Sequence, residues 1–150
     1  MGNIFNEDFQ DFIRSLNKHE VKYILVGGFS VIIHGFPRTT GDLDIWVEVT
    51  KENYIKLIRA FNEFGLHADD MSEHNFLHKT EFDVFSYGRP PISIEILKSI
   101  SGVNFNEAWG SAIWHEMKDL KVRVIHLNHL KINKKSSGRY KDLNDLENLS

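Results

Sequence analysis

The chain has 150 residues, 41% of them hydrophobic and none of them cysteine, which suits a single domain over 1–150 with a sizeable core and excludes a disulfide framework or a thiolate metal site. The net charge of −3 argues against general coating of nucleic acid. No apolar run approaches the ~18 residues of a membrane helix, and the opening MGNIFNEDF lacks a basic-then-apolar leader, so a cytoplasmic protein with no membrane contact is expected.

Phe9, Phe12, Ile13 and Leu16 recur at helical spacing and predict an amphipathic helix over residues 6–19. Tyr23 to Val26 is a short β-prone run and predicts a strand. Gly27-Gly28 breaks that strand, Phe29 to His34 reads as a short helix, and Gly35 and Pro37 punctuate a loop. A second strand is expected from Leu43 to Val49. Thr50 then caps a helix running to about Phe64, with Tyr54, Leu57, Ile58 and Phe61 on one face and Gly65 at its end. Residues 66–80 show no clear pattern. Glu81 to Tyr87 and Ile92 to Leu97 read as strands separated by a GRPP turn. SGVNFNEAW reads as a loop and a short helix, residues 113–117 and 121–125 as a hairpin around Lys118 to Leu120, and 128–135 and 139–149 as two closing helices with Gly138 between them. Strands and helices mix without strict alternation, which predicts an α+β fold with a mixed sheet.

Charge is unevenly spread. Residues 1–117 carry 10 basic and 17 acidic side chains, net −7, whereas residues 118–150 carry 8 basic and 4 acidic, net +4. A basic C-terminal part beside an acidic body suggests either that the tail faces something anionic or that it is a solvated helix surface.

The span LVGGFSVIIHGFPRTTGDLDIWV, residues 25–47, concentrates the chemistry. On a strand Asp42 and Asp44 point to one face with Cα atoms ~6.6 Å apart, while Leu43 and Ile45 face the core. Adjacent carboxylates repel unless a cation sits between them, and oxygen ligands of this kind suit Mg²⁺ or Mn²⁺. Two such ions ~3.5–4 Å apart can hold both oxygens of a phosphoryl displacement. Gly27 and Gly28 sit between a strand and a helix, where a backbone without side chains admits a ligand closely and free helix N–H groups favour phosphate. Ser30 adds a hydroxyl there, and Arg38 can neutralise phosphate charge.

GGFS followed by DLD resembles the signature of the nucleotidyltransferase superfamily, and most closely its small bacterial members related to the toxins of abortive-infection systems. Arg38, Thr40, Asp42 and Asp44 match the family's R-x-T-x-D-hydrophobic-D loop. Residues 94–109, IEILKSISGVNFNEAW, resemble the third-carboxylate strand and the loop after it. Residues 131–149, KINKKSSGRYKDLNDLENL, resemble the C-terminal helical signature. The resemblance implies the nucleotidyltransferase fold, a mixed sheet flanked by helices with helices at the C-terminus. It implies a metal-dependent transfer of a nucleoside monophosphate from a nucleoside triphosphate to an acceptor hydroxyl, with two Mg²⁺ or Mn²⁺ ions and release of pyrophosphate. The acceptor would be a tRNA end, a protein side chain or a small molecule.

By the same resemblance Glu95 stands where most relatives carry Asp, as base or third metal ligand beside Asp42 and Asp44, with Asp83 as its rival. Alternation places Ser93, Glu95 and Leu97 on one face and Ile92, Ile94 and Ile96 on the other, so Glu95 is expected alone among apolar neighbours. Lys131, Lys134, Lys135, Arg139 and Lys141 form a positive surface, and the resemblance implies that Lys131, Lys134, Arg139 and Lys141 contact the triphosphate or base. Asp142 and Asp145 match a KDLxD motif and either join the site, orient a lysine or cap a helix. Glu95 in place of Asp also leaves open a catalytically inactive nucleotide-binding or partner-binding module on the same fold. His74 and His78, four residues apart, would need a third ligand, His67 or Glu73, to hold zinc, and nothing else has metal spacing; Trp46, Trp109 and Trp114 read as core or rim aromatics rather than stacking platforms.

Overall fold

The first helix forms where its cap, charges and apolar stripe agree. Asn6 accepts a hydrogen bond from the Phe9 amide, Glu7 and Asp8 sit in the first turn and Lys18 in the last, which opposes the helix dipole favourably. The result is α1, Glu7–Lys18, with Phe9, Phe12, Ile13 and Leu16 buried. The computed structural model describes residues 4–89 and 92–149. It continues with β1 (Tyr23–Val26), α2 (Gly27–Ile33), β2 (Asp42–Val47), α3 (Lys51–Phe64), α4 (Glu73–His78), β3 (Val84–Arg89), β4 (Ile92–Leu97), α5 (Phe105–Ser111), β5 (Ile113–Met117), β6 (Leu120–Val124), α6 (Leu127–Ser137) and α7 (Tyr140–Asn148).

The strands form one mixed sheet in the order β3-β4-β2-β1-β6-β5. β1 is antiparallel to β2 and parallel to β6, and β2 is parallel to β4. One sheet face carries Tyr23, Leu25, Leu43, Ile45, Ile94, Ile96 and Val124, all buried. It packs on α3 through contacts such as Phe61 with Tyr87, and α3 packs on α1 through Phe61 with Phe12. The other face carries Asp42, Asp44 and Glu95, and it meets α5 where Phe105 stands edge-on to Trp46 at 5.0 Å. This layering of helices on a mixed sheet is the expected α+β arrangement.

Several boundaries differ from the sequence reading, each for a local reason. α2 starts at Gly27, not Phe29, because φ of +70° at Gly27 turns the chain directly from strand into helix. β2 ends at Val47, opposite Tyr23, where its antiparallel partner β1 begins. α3 starts and stops as read: Thr50 caps the Asn53 amide and Gly65 closes the helix in the left-handed region. Residues 66–80, which showed no pattern, contain the six-residue α4 capped by Ser72. β3 begins at Val84 rather than Glu81 and runs on through Gly88 and Arg89, because pairing with β4 extends from Val84–Leu97 to Arg89–Ile92. Pro90 and Pro91 of the expected turn lie outside the described residues. Asn53, buried on α3, accepts from the Lys22 amide and donates to the Lys22 and Glu48 carbonyls, locking the entry to β1 against the exit from β2. Among the described residues no helix is long and apolar enough to cross a membrane.

Candidate active site

Register brings the carboxylates together. Asp42 lies opposite Ser93 and Asp44 opposite Glu95 across the parallel β2–β4 pair. They line a cleft of about 540 Å³ whose other wall includes Lys134, Arg139, Lys141 and Asp142 from the C-terminal helices. Burial pushes the Asp44 carboxyl up to about 7, with Asp42 and Glu95 adding repulsion and Lys141 and Lys134 partly opposing it. Three negative groups therefore crowd a half-enclosed space without full compensation from the protein. Among the described residues no group of three or more His, Asp or Glu is arranged as a ready metal cage.

Glu95 is not alone among apolar neighbours. The Ser93 hydroxyl lies 2.8 Å from Asp42 Oδ1 and 2.7 Å from Glu95 Oε1, and the Ser86 hydroxyl donates to Glu95 Oε2. Alternation along β4 alone shows the residues above and below Glu95, whereas its polar partners Asp44 and Ser86 come from the strands on either side. Ser93 shares its face on the same strand and was the one partner legible from spacing. Asp83 also lines the cleft but precedes β3, outside the ladder, with its carbonyl accepting from the Lys98 amide.

The glycines have a structural reason of their own. A Cβ on Gly27 would lie 1.9 Å from Asp44 Oδ2, and one on Gly28 would lie 2.4 Å from Thr40 Oγ1 and 3.1 Å from Arg38 Nη2. The space beside the helix start is thus filled by Asp44 and by the 38–40 loop. Ser30 is buried and donates to the Gly27 carbonyl at 2.6 Å, so its hydroxyl serves the first turn of α2.

Arg38 and Lys134 are held by internal anions. Arg38 forms an ion pair with Asp145 across 107 residues of sequence: Nη2 donates to Oδ2 at 3.0 Å, and Nε lies 2.8 Å from Oδ1 without hydrogen-bond alignment. Lys134 Nζ lies 3.0 Å from Asp145 and 3.3 Å from Asp142. Lys134 is 4% exposed, so it is no part of a solvated positive surface; Asp142 and Asp145 are buried with it. Asp142 also accepts from Arg139 Nε at 2.7 Å, from the Ser137 hydroxyl and from the Arg139 amide at the start of α7. Burial opposes its charge, but these hydrogen bonds and the Lys134 and Arg139 charges hold its carboxyl down at about 2. The Arg139 side chain remains 65% exposed at the cleft rim. Lys131 stands outside the residues that line the cleft.

Residues 6–150 match the model of a family described as "Nucleotidyltransferase of unknown function (DUF6036)". The chain belongs to this nucleotidyltransferase family. The fold agrees. The lincosamide antibiotic adenylyltransferase LnuA, in its lincomycin-bound structure, superposes with a TM-score of 0.61 at 16% identity, covering 99% of this chain and 98% of its own. TM1012 from Thermotoga maritima, provisionally described as a nucleotidyltransferase, gives a TM-score of 0.57 at 17% identity over 93% of this chain and 88% of its own. No curated protein matches the sequence. The nucleotidyltransferase fold expected for the chain is therefore the one it adopts.

Proposed function

We propose that the cleft transfers a nucleoside monophosphate from a nucleoside triphosphate to an acceptor hydroxyl, using a divalent cation. The observation that carries this reading is the crowding of Asp42, Asp44 and Glu95 at one wall, where burial first and the two neighbouring carboxylates second raise Asp44 to about 7, with Arg139 and Lys141 on the facing wall. One wall suits cations and the other suits phosphate oxygens. The donor set fits Mg²⁺ or Mn²⁺, which bind through one or two carboxylates together with water and substrate phosphates rather than through a complete protein cage. Asp42 and Asp44 would hold the cations, two in number, with Glu95 as the remaining carboxylate. When bound, such ions neutralise charge on the attacking and leaving oxygens.

The chain's own residues orient the reactants. Arg139 and Lys141 would grip the β- and γ-phosphates. The acceptor oxygen attacks the α-phosphorus and forms a new O–P bond, the α–β bridging bond breaks, and pyrophosphate leaves. The acceptor proton passes to Glu95, whose carboxylate is steadied by Ser86 and Ser93. Positioning and charge complementarity supply most of the acceleration. Arg38 and Thr40 act through the loop that buttresses Gly28, and Gly27 keeps the space that Asp44 occupies. LnuA, an antibiotic adenylyltransferase, puts a small molecule beside a tRNA end and a protein side chain among the acceptors to test. We place the reaction in the cytoplasm.

The test is pyrophosphate release from each of the four NTPs with Mg²⁺ and a cell lysate as acceptor source, in wild type and Asp44→Asn. Release that needs the metal, one preferred NTP and Asp44 supports the reading. Release that is equal in Asp44→Asn places the chemistry elsewhere.

A further inference from the structure

The four cation–π contacts among the described residues all fall on two indoles at the far end of the sheet from the cleft. Arg123 Cζ lies 4.6 Å from the Trp109 ring centroid and 5.3 Å from that of Trp114. Lys121 Nζ sits 4.7 Å over Trp114, and Lys22 Nζ sits 5.6 Å over Trp109. Trp109, Trp114, Lys22, Lys56 and Lys121 line a separate cavity of about 400 Å³. Lys22 precedes β1 and Gly27 follows it, five residue steps that place this cavity roughly 16 Å from the cleft along the strand. Register puts Trp114 beside Arg123 on the edge hairpin. Spacing alone marks these indoles as core or rim aromatics; the structure sets cations against both.

Charge here runs against the molecule as a whole, whose net charge is −3. The cavity and its stacked arginine bring Lys22, Lys56, Lys121 and Arg123 together. Glu20 lines the same cavity, Glu48 lies 3.6 Å from Lys22 and Glu116 faces Lys121 across the hairpin, leaving a local excess of one positive charge. Among the described residues no carboxylate forms an ion pair with Lys56, Lys121 or Arg123; the Arg123 Nη2 donates instead to the Trp109 carbonyl at 3.1 Å. Trp114 remains 45% exposed, a large indole held on an edge strand.

We infer that this patch is a second site, one that docks a segment of single-stranded nucleic acid. Such ligands combine a repeating anionic backbone with flat bases, and the proteins that hold them combine a cationic groove with aromatic stacking surfaces. An acidic peptide would satisfy the lysines and leave the exposed part of the Trp114 ring uncovered. The site goes beyond the transfer reaction and does not require that the bound strand be the acceptor.

The experiment is fluorescence anisotropy of a labelled 12-nucleotide oligoadenylate RNA with the full chain, without NTP. Binding is expected with a log–log salt slope near −2, for about three phosphates neutralised. Trp114→Ala should weaken it about tenfold, the loss of one stacked base, and Trp114→Phe should restore most of that. Lys121→Ala, an exposed position, should shrink the slope by about 0.7. Both variants should release pyrophosphate at the wild-type rate, so failure of this site and failure of the transfer reaction are read separately. Absence of binding at low salt, binding indifferent to both substitutions, or displacement by oligoglutamate as effective as by unlabelled oligoadenylate would each overturn the assignment.

Discussion

Asp44 is the residue at which structure and chemistry meet most sharply. Its carboxyl stands near 7 in the folded chain against an ordinary value of 3.8, because it is buried beside Asp42 and Glu95. The folded state therefore binds its proton more tightly than the unfolded state, and this group lowers stability as pH rises from about 4 to about 7. Asp142 has the opposite sign: held at about 2, it adds stability above its unfolded value that is lost as pH falls toward 2. In metal-free protein, thermal midpoints measured at pH 4.5, 6 and 7.5 should fall along that series, and Asp44→Asn should flatten the fall. An unchanged slope in the variant would mean that Asp44 titrates normally. Mg²⁺ or Mn²⁺ should raise the midpoint more at pH 7.5 than at pH 4.5 in wild type, since binding stabilises the folded state by mass action and needs the ionised carboxylate. The same addition should do little in Asp44→Asn; an equal shift there would remove Asp44 from the cation site.

At the scale of elements, the turn from β1 into α2 depends on two missing side chains. Gly27→Ala meets Asp44 Oδ2 and also strains a φ of +70°, whereas Gly65→Ala has a φ of +91° with open space around it. Urea denaturation should therefore show Gly27→Ala losing more than Gly65→Ala, the difference being an overpacking cost of about 1–3 kcal/mol. Equal losses would mean that Asp44 moves aside without cost. This turn was legible in the sequence, as were the cap at Thr50 and the stops at Gly65 and Gly138, because those signals are local. Alternation likewise placed Asp42 with Asp44 and Ser93 with Glu95. Which strands lie side by side was not legible from spacing: nothing within β2 or β4 says that they pair in parallel with Asp44 opposite Glu95. That juxtaposition came from family resemblance, and so did the role assigned to the tail. α4 escaped notice because six residues give too short a period to register.

At the scale of the whole molecule, the basic tail turns out to be fastened by its own acids. Arg38 and Lys134 converge on Asp145, which ties the 38–40 loop behind Gly28 to α6 and α7. Charge counting along the sequence sees a net positive tail but not that part of it is neutralised inside the fold by partners on other elements. Asp145→Ala takes the anion from the half-buried Arg38 and leaves the buried Lys134 with Asp142 alone, and removal of one partner from such a network costs about 3–5 kcal/mol. Urea denaturation should show a loss of that order, accompanied by weaker NTP binding, because the wall facing the carboxylates loses its anchor. Stability within about 0.5 kcal/mol of wild type, the range of an ordinary surface substitution, would show that the network contributes little.

Nucleotidyl transfer is defined by which phosphorus is attacked. Parallel incubations with the preferred NTP labelled at the α- or the γ-phosphate, with Mg²⁺ and a lysate, follow the label into the acceptor fraction. Nucleotidyl transfer at Asp42 and Asp44 predicts that the α-label becomes covalently attached while the γ-label leaves as pyrophosphate, and that Asp44→Asn abolishes both. Attachment of the γ-label, or of neither label at any metal concentration, would contradict it.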